Sequence, residues 1–362
     1  MKILLIGGSG FIGPFTAAQL QQSGHNVTIF NRGKTSAPQG TEEILGDRQF
    51  LQDHQPEFRR QKFDVVVDFV LSSGRQAQQL MDTFRGIAGR VVGLSSMDVY
   101  RAWGVFYNME PGGLQELPLI EDSELRTSRN TYPPDVLKRL RTSLYPWIDE
   151  EYDKIPVEQA VLGDTKLPGT ILRLPMIYGP GDPLHRFYPV LKRIDDGRKQ
   201  IIFADDVVPL RTPRGYVEDV AAAVALAATS PQAAGRVYNV SETESFGELD
   251  WARKIAAAAD WAANSSCCRI TARPSTCSRR ETPRSMWWHL LSASAKSLTI
   301  ASFCRMMKPF AAPSSGSAQI LRRNRQPNSI TLRKTKRCGN SKRLRKIGNR
   351  IPSTTLGIIG IR

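Results

Sequence analysis

The chain has 362 residues, 41% of them hydrophobic, which is typical of a soluble globular protein with a sizeable core. No apolar run reaches the roughly 18 residues needed to span a membrane, and a strand-like segment follows Met1 directly. We therefore expect a cytoplasmic protein with no signal peptide and no membrane partner.

The formal net charge of +16 is unevenly distributed along the chain. Residues 1–250 contain 27 Lys and Arg against 32 Asp and Glu, a net charge of −5. Residues 251–362 contain 23 against 2, a net charge of +21. The positive charge therefore does not indicate a polyanion-binding surface over the main body of the chain.

Strand-like and helix-like segments alternate as far as about residue 260, with short turns between them. This order is typical of a parallel sheet covered by helices on both faces. The loop-like stretch at 103–134 is long enough to cover a site. We predict strands at 3–6, 27–30, 64–70, 90–94, 170–174 and 236–240, and helices at 11–23, 76–84, 146–162 and 217–228.

These elements predict an α/β fold over residues 1–260, a doubly wound parallel sheet of the Rossmann type. We assign residues 261–362 to a separate basic segment, which we predict to be of low order.

The basic segment is rich in Ser, Arg, Pro and Thr and contains all five cysteines, in neither a CxxC pattern nor a disulfide framework. One interpretation is an RNA-binding tail, in which case nucleic acid is a partner. The other is a shift of reading frame, which would explain together the lost acidic residues, the cysteines and the absent periodicity. We favour the shift. The four histidines lack ligand spacing, so we predict no metal site.

A glycine-rich loop follows the first strand and opens the first helix. Gly7 allows a tight turn, Gly10 lets backbone N–H groups approach a pyrophosphate, and Gly13 allows close helix packing. The helix N-terminus then faces the negative charge. We predict that a dinucleotide is bound by Gly7, Ser9, Gly10, Phe11, Ile12 and Gly13.

The end of the second strand bears on the choice between NAD and NADP. Asn31 and Arg32 stand where an NAD-selective fold usually has an acidic residue for the ribose 2′-hydroxyl, and Lys34 follows closely. Arg32 and Lys34 suit a 2′-phosphate, so the cofactor is NADP or NAD, with NADP slightly favoured. The alternative is that Arg32 is a solvated turn residue.

Several further motifs resemble those of the extended short-chain dehydrogenase/reductases, specifically atypical members of the NAD-dependent epimerase/dehydratase family. The resemblance extends from residue 1 to about 258. Besides the glycine loop, the motifs are Gly46-Asp47, Leu94–Tyr100, Tyr152–Glu158, Leu172–Gly181, Tyr216–Ala221 and Tyr238–Val240.

The resemblance implies that residues 1–260 form an NAD(P)-binding domain that includes part of a small C-terminal substrate lobe, in segments of about 175–215 and 240–260, and that this lobe is incomplete. It also implies roles for individual residues. Asp47 corresponds to an aspartate that binds the adenine, and Pro175 to a proline beside the nicotinamide. Ser96 corresponds to the Ser or Thr that polarises a substrate carbonyl or alcohol, and Lys154 to the lysine that lowers the pKa of a catalytic tyrosine and holds the cofactor ribose.

The tyrosine of that pair is where this chain departs from the family. Glu150 stands four residues before Lys154, whereas Tyr152 stands only two before it and would point about 200° away on a helix. Either Tyr152 acts from an irregular helix, or Lys154 is kept for cofactor binding alone. The catalytic candidates are thus Ser96, Tyr152 and Lys154.

Three more polar residues, Asp98, Arg186 and Arg211, flank strand ends and are weaker candidates for facing the substrate. The first functional hypothesis is an NAD(P)-dependent epimerase, dehydratase or reductase acting on a small molecule such as a sugar nucleotide, with a homodimer as the assembly considered. The second is a non-catalytic, RNA-associated dinucleotide-binding protein, which Glu150 at the tyrosine position favours.

Overall fold

The computed structural model describes residues 1–113, 115–129, 131–204, 207–261 and 269–273. They divide into two compact units. The first comprises Met1–Ile177 and Arg214–Ser241, and the second comprises Tyr178–Pro213 and the described residues from Glu242 onward. Apart from Trp261 and residues 269–273, the predicted basic segment lies outside the described residues.

The first unit contains a parallel sheet of seven strands. In chain order its strands are β1 (Lys2–Ile6), β2 (Asn26–Asn31), β3 (Glu42–Leu45), β4 (Val65–Asp68), β5 (Arg90–Ser96), β6 (Gly169–Leu174) and β10 (Val237–Asn239). Their order across the sheet is β10-β6-β5-β4-β1-β2-β3. The chain direction across the sheet reverses between β1 and β4, and the segments that follow these two strands meet at this switch point.

The helices of the first unit are α1 (Gly13–Gln22), α2 (Gln55–Gln61), α3 (Gly74–Phe84), α4 (Arg101–Phe106), α5 (Pro134–Ser143), α6 (Lys154–Leu162) and α8 (Val217–Thr229). Two apolar layers cover the sheet. Helices α1 and α8 pack on one face, and α2, α3 and α6 pack on the other. The central strands carry apolar runs because both of their faces are buried, as in the three valines of β4, Val65, Val66 and Val67. The predicted doubly wound fold is confirmed.

The predicted helix over 146–162 is wrong in its first half, since α6 begins only at Lys154. The carboxylate of Asp153 accepts a 3.0 Å hydrogen bond from the Ile155 N–H and so caps the helix start. Just before it, Asp149 accepts a 2.8 Å bond from the Ser73 hydroxyl, which ties the chain to the segment after β4. Tyr152 therefore precedes the helix instead of lying on it.

The second unit contains β8 (Gln200–Ala204), α7 (Tyr188–Asp195), α9 (Glu248–Ala258) and β11 (Arg269–Arg273). Strands β8 and β11 pair in parallel. Tyr178, Phe187 and Trp251 form an aromatic cluster with ring centroids 4.7 to 5.8 Å apart. A further short sheet pairs β7 (Met176–Tyr178) with β9 (Arg214–Tyr216), whose residues other than Tyr178 belong to the first unit. No helix among the described residues is long and apolar enough to span a bilayer.

Candidate active site at the strand ends

The glycine loop turns sharply between β1 and α1. Gly7 has a φ of +73°, and its N–H donates a 3.0 Å hydrogen bond to the Phe30 carbonyl. A Cβ on Gly13 would lie 2.2 Å from the Gly8 carbonyl oxygen, so Gly13 is required for the fold of the loop itself. A Cβ on Gly10 would meet only the Gly7 oxygen, at 3.4 Å. Gly10 is exposed, so the space before it is available to a ligand.

The start of α1 is suited to an anion. Its N-cap residue, Ile12, offers no side-chain hydrogen bond to the first N–H groups, and Pro14 stands within the first turn. Backbone donors at a helix start that no side chain caps bind phosphate oxygens readily. Ser9, Phe11 and Ile12 are all partly accessible beside these donors. These residues therefore fit the pyrophosphate of a dinucleotide.

At the end of β2, Asn31 organises the turn that follows. Its side-chain oxygen accepts a 2.5 Å bond from the Gly33 N–H, and its amide donates a 2.9 Å bond to Glu43. Arg32 and Lys34 are exposed, and no ion pair with either is found within the described part of the chain. The turn thus presents two cations to solvent next to the sheet edge.

The segment after β3 contributes to a buried ion pair that was not predicted from the sequence. Asp47 caps a 3-10 helix (Arg48–His54), its carboxylate accepting a 2.9 Å bond from the Gln49 N–H. The next residue, Arg48, is buried and donates bonds of 2.8 and 3.1 Å to one oxygen of Asp68 at the end of β4. This ion pair fixes the backbone that carries Asp47.

Lys154 is buried and spans the ends of two neighbouring strands. Its ammonium group donates a 3.0 Å hydrogen bond to the Leu94 carbonyl in β5 and another to the Leu71 carbonyl beyond β4. Burial lowers the pKa of Lys154 to about 8, although the nearby carboxylates of Asp98, Asp68 and Glu158 act to raise it. The ammonium group thus donates two hydrogen bonds to main-chain carbonyl oxygens.

Just after β5, Asp98 is hydrogen-bonded to Ser96 through its backbone and to Tyr152 through its side chain. The Ser96 hydroxyl accepts a 3.3 Å bond from the Asp98 N–H. The Tyr152 hydroxyl donates a 2.9 Å bond to Oδ2 of Asp98, and both side chains are largely buried. Burial raises the pKa of both the Asp98 carboxyl and the Tyr152 phenol. Sequence spacing did not predict this contact.

Glu150, at the family's tyrosine position, lies at the protein surface. Its side chain is 80% exposed and pairs with Arg141 at 2.7 Å. Tyr152 instead lies beside Lys154, whose Nζ is 5.7 Å from the centre of the Tyr152 ring. The expectation that Tyr152 and Lys154 diverge on one helix is therefore corrected, because the helix begins after Tyr152.

A second network of buried hydrogen bonds connects β5 to α6 and β6. Glu158 accepts a 2.6 Å bond from the Ser95 hydroxyl and a bidentate pair of bonds, 2.8 and 3.0 Å, from Arg173. Arg173 also donates to the Tyr100 hydroxyl at 2.9 Å. Burial alone would lower the pKa of Arg173, but Glu158 and Tyr100 keep it raised. This network holds the strand that ends in Ser96.

Pro175 follows β6 in the first unit and is half-buried, and a Cβ on Gly215 would lie 3.0 Å from its ring. Arg186 and Arg211 belong to the second unit. There Arg186 pairs with Asp182 at 2.6 Å, and Arg211 donates a 3.0 Å bond to the Ser245 carbonyl. Both arginines thus have partners within their own unit.

One continuous path joins the glycine loop to Tyr152. A Cβ on Gly7 would contact Val70, and the Leu71 carbonyl that follows binds Lys154. The Lys154 ammonium group also binds the Leu94 carbonyl in β5, the strand that ends at Ser96. The Tyr152 ring lies beside this ammonium group. The sequence indicated most of these residues. The Arg48–Asp68 ion pair was not predicted. The feature of the sequence that could have indicated it is Asp68, an acidic residue at the end of the otherwise apolar strand β4.

The fold is that of the doubly wound α/β class, and the glycine loop after β1 fits a dinucleotide. The model of the NAD dependent epimerase/dehydratase family matches residues 3–97 and 138–241, more than half of the chain. The chain therefore belongs to this family, as the sequence motifs suggested.

The chain is also similar to individual members of the family. It is 34% identical to a bifunctional UDP-glucose 4-epimerase and UDP-xylose 4-epimerase from Pisum sativum, over 19% of this chain and 24% of that relative. The matched part is thus about a quarter of the relative's length.

Two solved structures share the fold. A UDP-glucose 4-epimerase from Thermotoga maritima with UDP-glucose has a TM-score of 0.54 at 15% identity, covering 76% of this chain and 86% of its own. A dTDP-glucose 4,6-dehydratase from Bacillus anthracis, in complex with NAD, has a TM-score of 0.53 at 15% identity, covering 75% and 85%.

Proposed function

We propose that the chain is an NAD(P)-dependent epimerase or dehydratase that acts at a hydroxyl-bearing carbon of a sugar nucleotide. The observation that carries this proposal is that Asp98 is hydrogen-bonded to both Ser96 and Tyr152 just after β5, where Lys154 binds the Leu94 carbonyl of the same strand. The relatives that bind UDP-glucose and NAD support it.

The residues divide into those that hold a dinucleotide and those that handle the substrate. The glycine loop and the start of α1 hold the pyrophosphate, Asp47 the adenine, and Pro175 lines the nicotinamide end. The bound nicotinamide supplies a reversible acceptor for a hydride from the sugar carbon. The Ser96 hydroxyl orients the substrate oxygen. Lys154 holds the segment after β4 and the end of β5 together through its hydrogen bonds to the Leu71 and Leu94 carbonyls.

For the cofactor, we propose NADP over NAD. Arg32 and Lys34 are exposed at the end of β2, and the turn between them is ordered by Asn31. A guanidinium group binds the two oxygens of a 2′-phosphate with charge-assisted hydrogen bonds. Glu43 lies near this turn but is hydrogen-bonded to the Asn31 amide, so Asn31 shields its carboxylate in part.

The test is turnover by the full-length chain of a panel of UDP- and dTDP-linked sugars, each with NADP or NAD, with products identified by NMR. We expect a 4-epimer or a dehydrated sugar, and at least a 100-fold loss in Ser96→Ala. Ser36→Ala changes an exposed serine and serves as the control. Dinucleotide binding without any sugar conversion would favour a non-catalytic dinucleotide-binding protein instead.

A further inference from the structure

The Asp98 carboxylate is held in place but only partly hydrogen-bonded. It is 3% exposed, and its Oδ2 accepts the bond from Tyr152, whereas Oδ1 has no hydrogen-bond partner among the described residues. Its backbone is fixed on both sides, because its N–H bonds Ser96 and its carbonyl accepts a 2.9 Å bond from Nε of Arg126. Asp98 also lies just outside the segments matched by the family model, which stop at residue 97 and resume at 138.

Tyr152 is poorly suited to act as a phenolate. Burial raises its pKa well above the ordinary value, and the negative charge of Asp98 and the neighbouring Tyr132 raise it further. In the family's usual arrangement a lysine offsets such effects. Here the carbonyls of Leu71 and Leu94 take two of the three N–H donors of the Lys154 ammonium group. The hydrogen bond of the Tyr152 hydroxyl goes to Asp98 instead of to this lysine.

Several charged groups face Asp98 from the elements packed around it. Burial raises the pKa of Asp98 and the charge of Asp153 raises it further, whereas Arg126, from the loop after α4, and Lys154, from α6, lower it. The Tyr152 hydroxyl stabilises the carboxylate form as a hydrogen-bond donor. Because these effects on the pKa oppose one another, the Asp98 side chain is suited to both the carboxylate and the protonated form without a change of neighbours.

We propose that Asp98 is the proton acceptor of this site and works through Tyr152. The step rests on the proposed function above. As the substrate hydroxyl is oxidised, its O–H bond breaks and the proton binds the phenolic oxygen of Tyr152. The original phenolic proton moves along the 2.9 Å hydrogen bond to Oδ2 of Asp98. Tyr152 remains neutral, the electron pair of the broken O–H bond enters the new carbonyl group, and the hydride leaves the carbon for the nicotinamide.

The first test needs no turnover. The ionisation of Tyr152 is measured from the ultraviolet pH titration of the full chain minus that of Tyr152→Phe, and again in the Asp98→Asn background. Removing the Asp98 charge should lower the pH at which Tyr152 ionises. Infrared difference spectra between wild type and Asp98→Asn should show a carboxyl group that takes up its proton above the ordinary aspartate range. An unchanged Tyr152 titration would overturn the proposal.

The second test uses turnover. Asp98→Asn keeps the side-chain shape, and we expect kcat to fall about 100-fold or more, with KM and dinucleotide affinity within about 2-fold. Asp98→Glu should restore part of kcat. Tyr152→Phe should lose a similar factor, and the double variant should lose no more than either single one. In the wild type, kcat should fall at low pH as Asp98 becomes protonated, and this limb should be absent in Asp98→Asn.

The outcomes separate the two proposals. An active wild type with an equally active Asp98→Asn contradicts the relay and leaves the proposed function standing. A wild type that converts no sugar nucleotide contradicts the proposed function, and the Tyr152 titration then decides whether Asp98 and Tyr152 are coupled. Asp135→Asn changes an exposed aspartate in α5 and controls for an unspecific effect of charge removal.

Discussion

The ammonium group of Lys154 donates a 3.0 Å hydrogen bond to the carbonyl of Leu94, so a helix-start lysine fastens α6 to the end of β5. In this position the lysine acts inside the protein instead of facing solvent. Its pKa of about 8 reflects this burial and makes its contribution to stability depend on pH.

The first prediction concerns that pH dependence. Between about pH 8 and 10.5 the unfolded chain binds a proton on Lys154 that the folded chain does not, so folding becomes more favourable as pH rises. Relative to Lys154→Met, the unfolding free energy of the wild type should increase by about 2 kcal/mol from pH 7 to pH 10. Urea denaturation at both pH values measures this. Lys138→Met, at an exposed site, should show no such trend, and a parallel pH response of wild type and Lys154→Met would contradict the prediction.

The second prediction separates two glycines of the loop. In Gly13→Ala the new Cβ meets the Gly8 carbonyl at 2.2 Å, so the variant should lose about 1–3 kcal/mol of stability. In Gly10→Ala the nearest atom is 3.4 Å away, so stability should stay close to wild type while dinucleotide affinity falls at least about 10-fold. Thermal unfolding and calorimetric titration measure the two effects. A Gly10→Ala variant that binds dinucleotide as well as wild type would rule out the pyrophosphate site.

The third prediction addresses the buried Arg48–Asp68 pair. Asp68→Asn leaves a buried guanidinium group without its counter-charge, which should cost about 3–5 kcal/mol of folding free energy. The exposed pair of Arg139 and Asp135 gives a matched control, because its loss in Asp135→Asn should cost less than about 1 kcal/mol. Equal losses in chemical denaturation of the two variants would mean that burial of the first pair has little energetic weight.

The fourth prediction concerns cofactor choice. Arg32→Ala should weaken NADP binding by about 10-fold or more while leaving NAD binding nearly unchanged, since the arginine contacts only the 2′-phosphate in the proposed complex. Arg59→Ala, at an exposed site on α2, is the control for general loss of positive charge. Tighter binding of NAD than of NADP by the wild type would contradict the proposed preference.

Much of the fold was predictable because local signals and packing agree. The apolar runs of β1, β4 and β5 are buried on both faces, so these runs and their alternation with helices indicated central parallel strands. The glycine loop was predictable for a similar reason, since Gly7 requires a positive φ and Gly13 a close backbone contact. The apolar strands and the glycine loop were both predictable because each is determined by residues close together in the sequence.

The chemistry around Tyr152 was less predictable because it depends on distant contacts. Helical spacing predicts that the side chains of Tyr152 and Lys154 point in different directions. However, α6 begins only at Lys154, with Asp153 as its N-cap, so this spacing does not apply to Tyr152. The Asp98–Tyr152 bond joins residues 54 positions apart, and no local pattern encodes it. The same holds for Arg48 and Asp68, which are 20 positions apart and meet only when β3 and β4 are in the sheet.

Hydride transfer from a sugar carbon is the central chemical claim, and isotopic labelling tests it most directly. The full chain is mixed with dinucleotide and a UDP-sugar carrying deuterium at the carbon to be oxidised, quenched rapidly, and the nicotinamide analysed by mass spectrometry. We expect deuterium in the reduced dinucleotide and far less in Ser96→Ala. Reduced dinucleotide trapped without deuterium while the sugar is converted, or no conversion with any sugar of the panel, would contradict it.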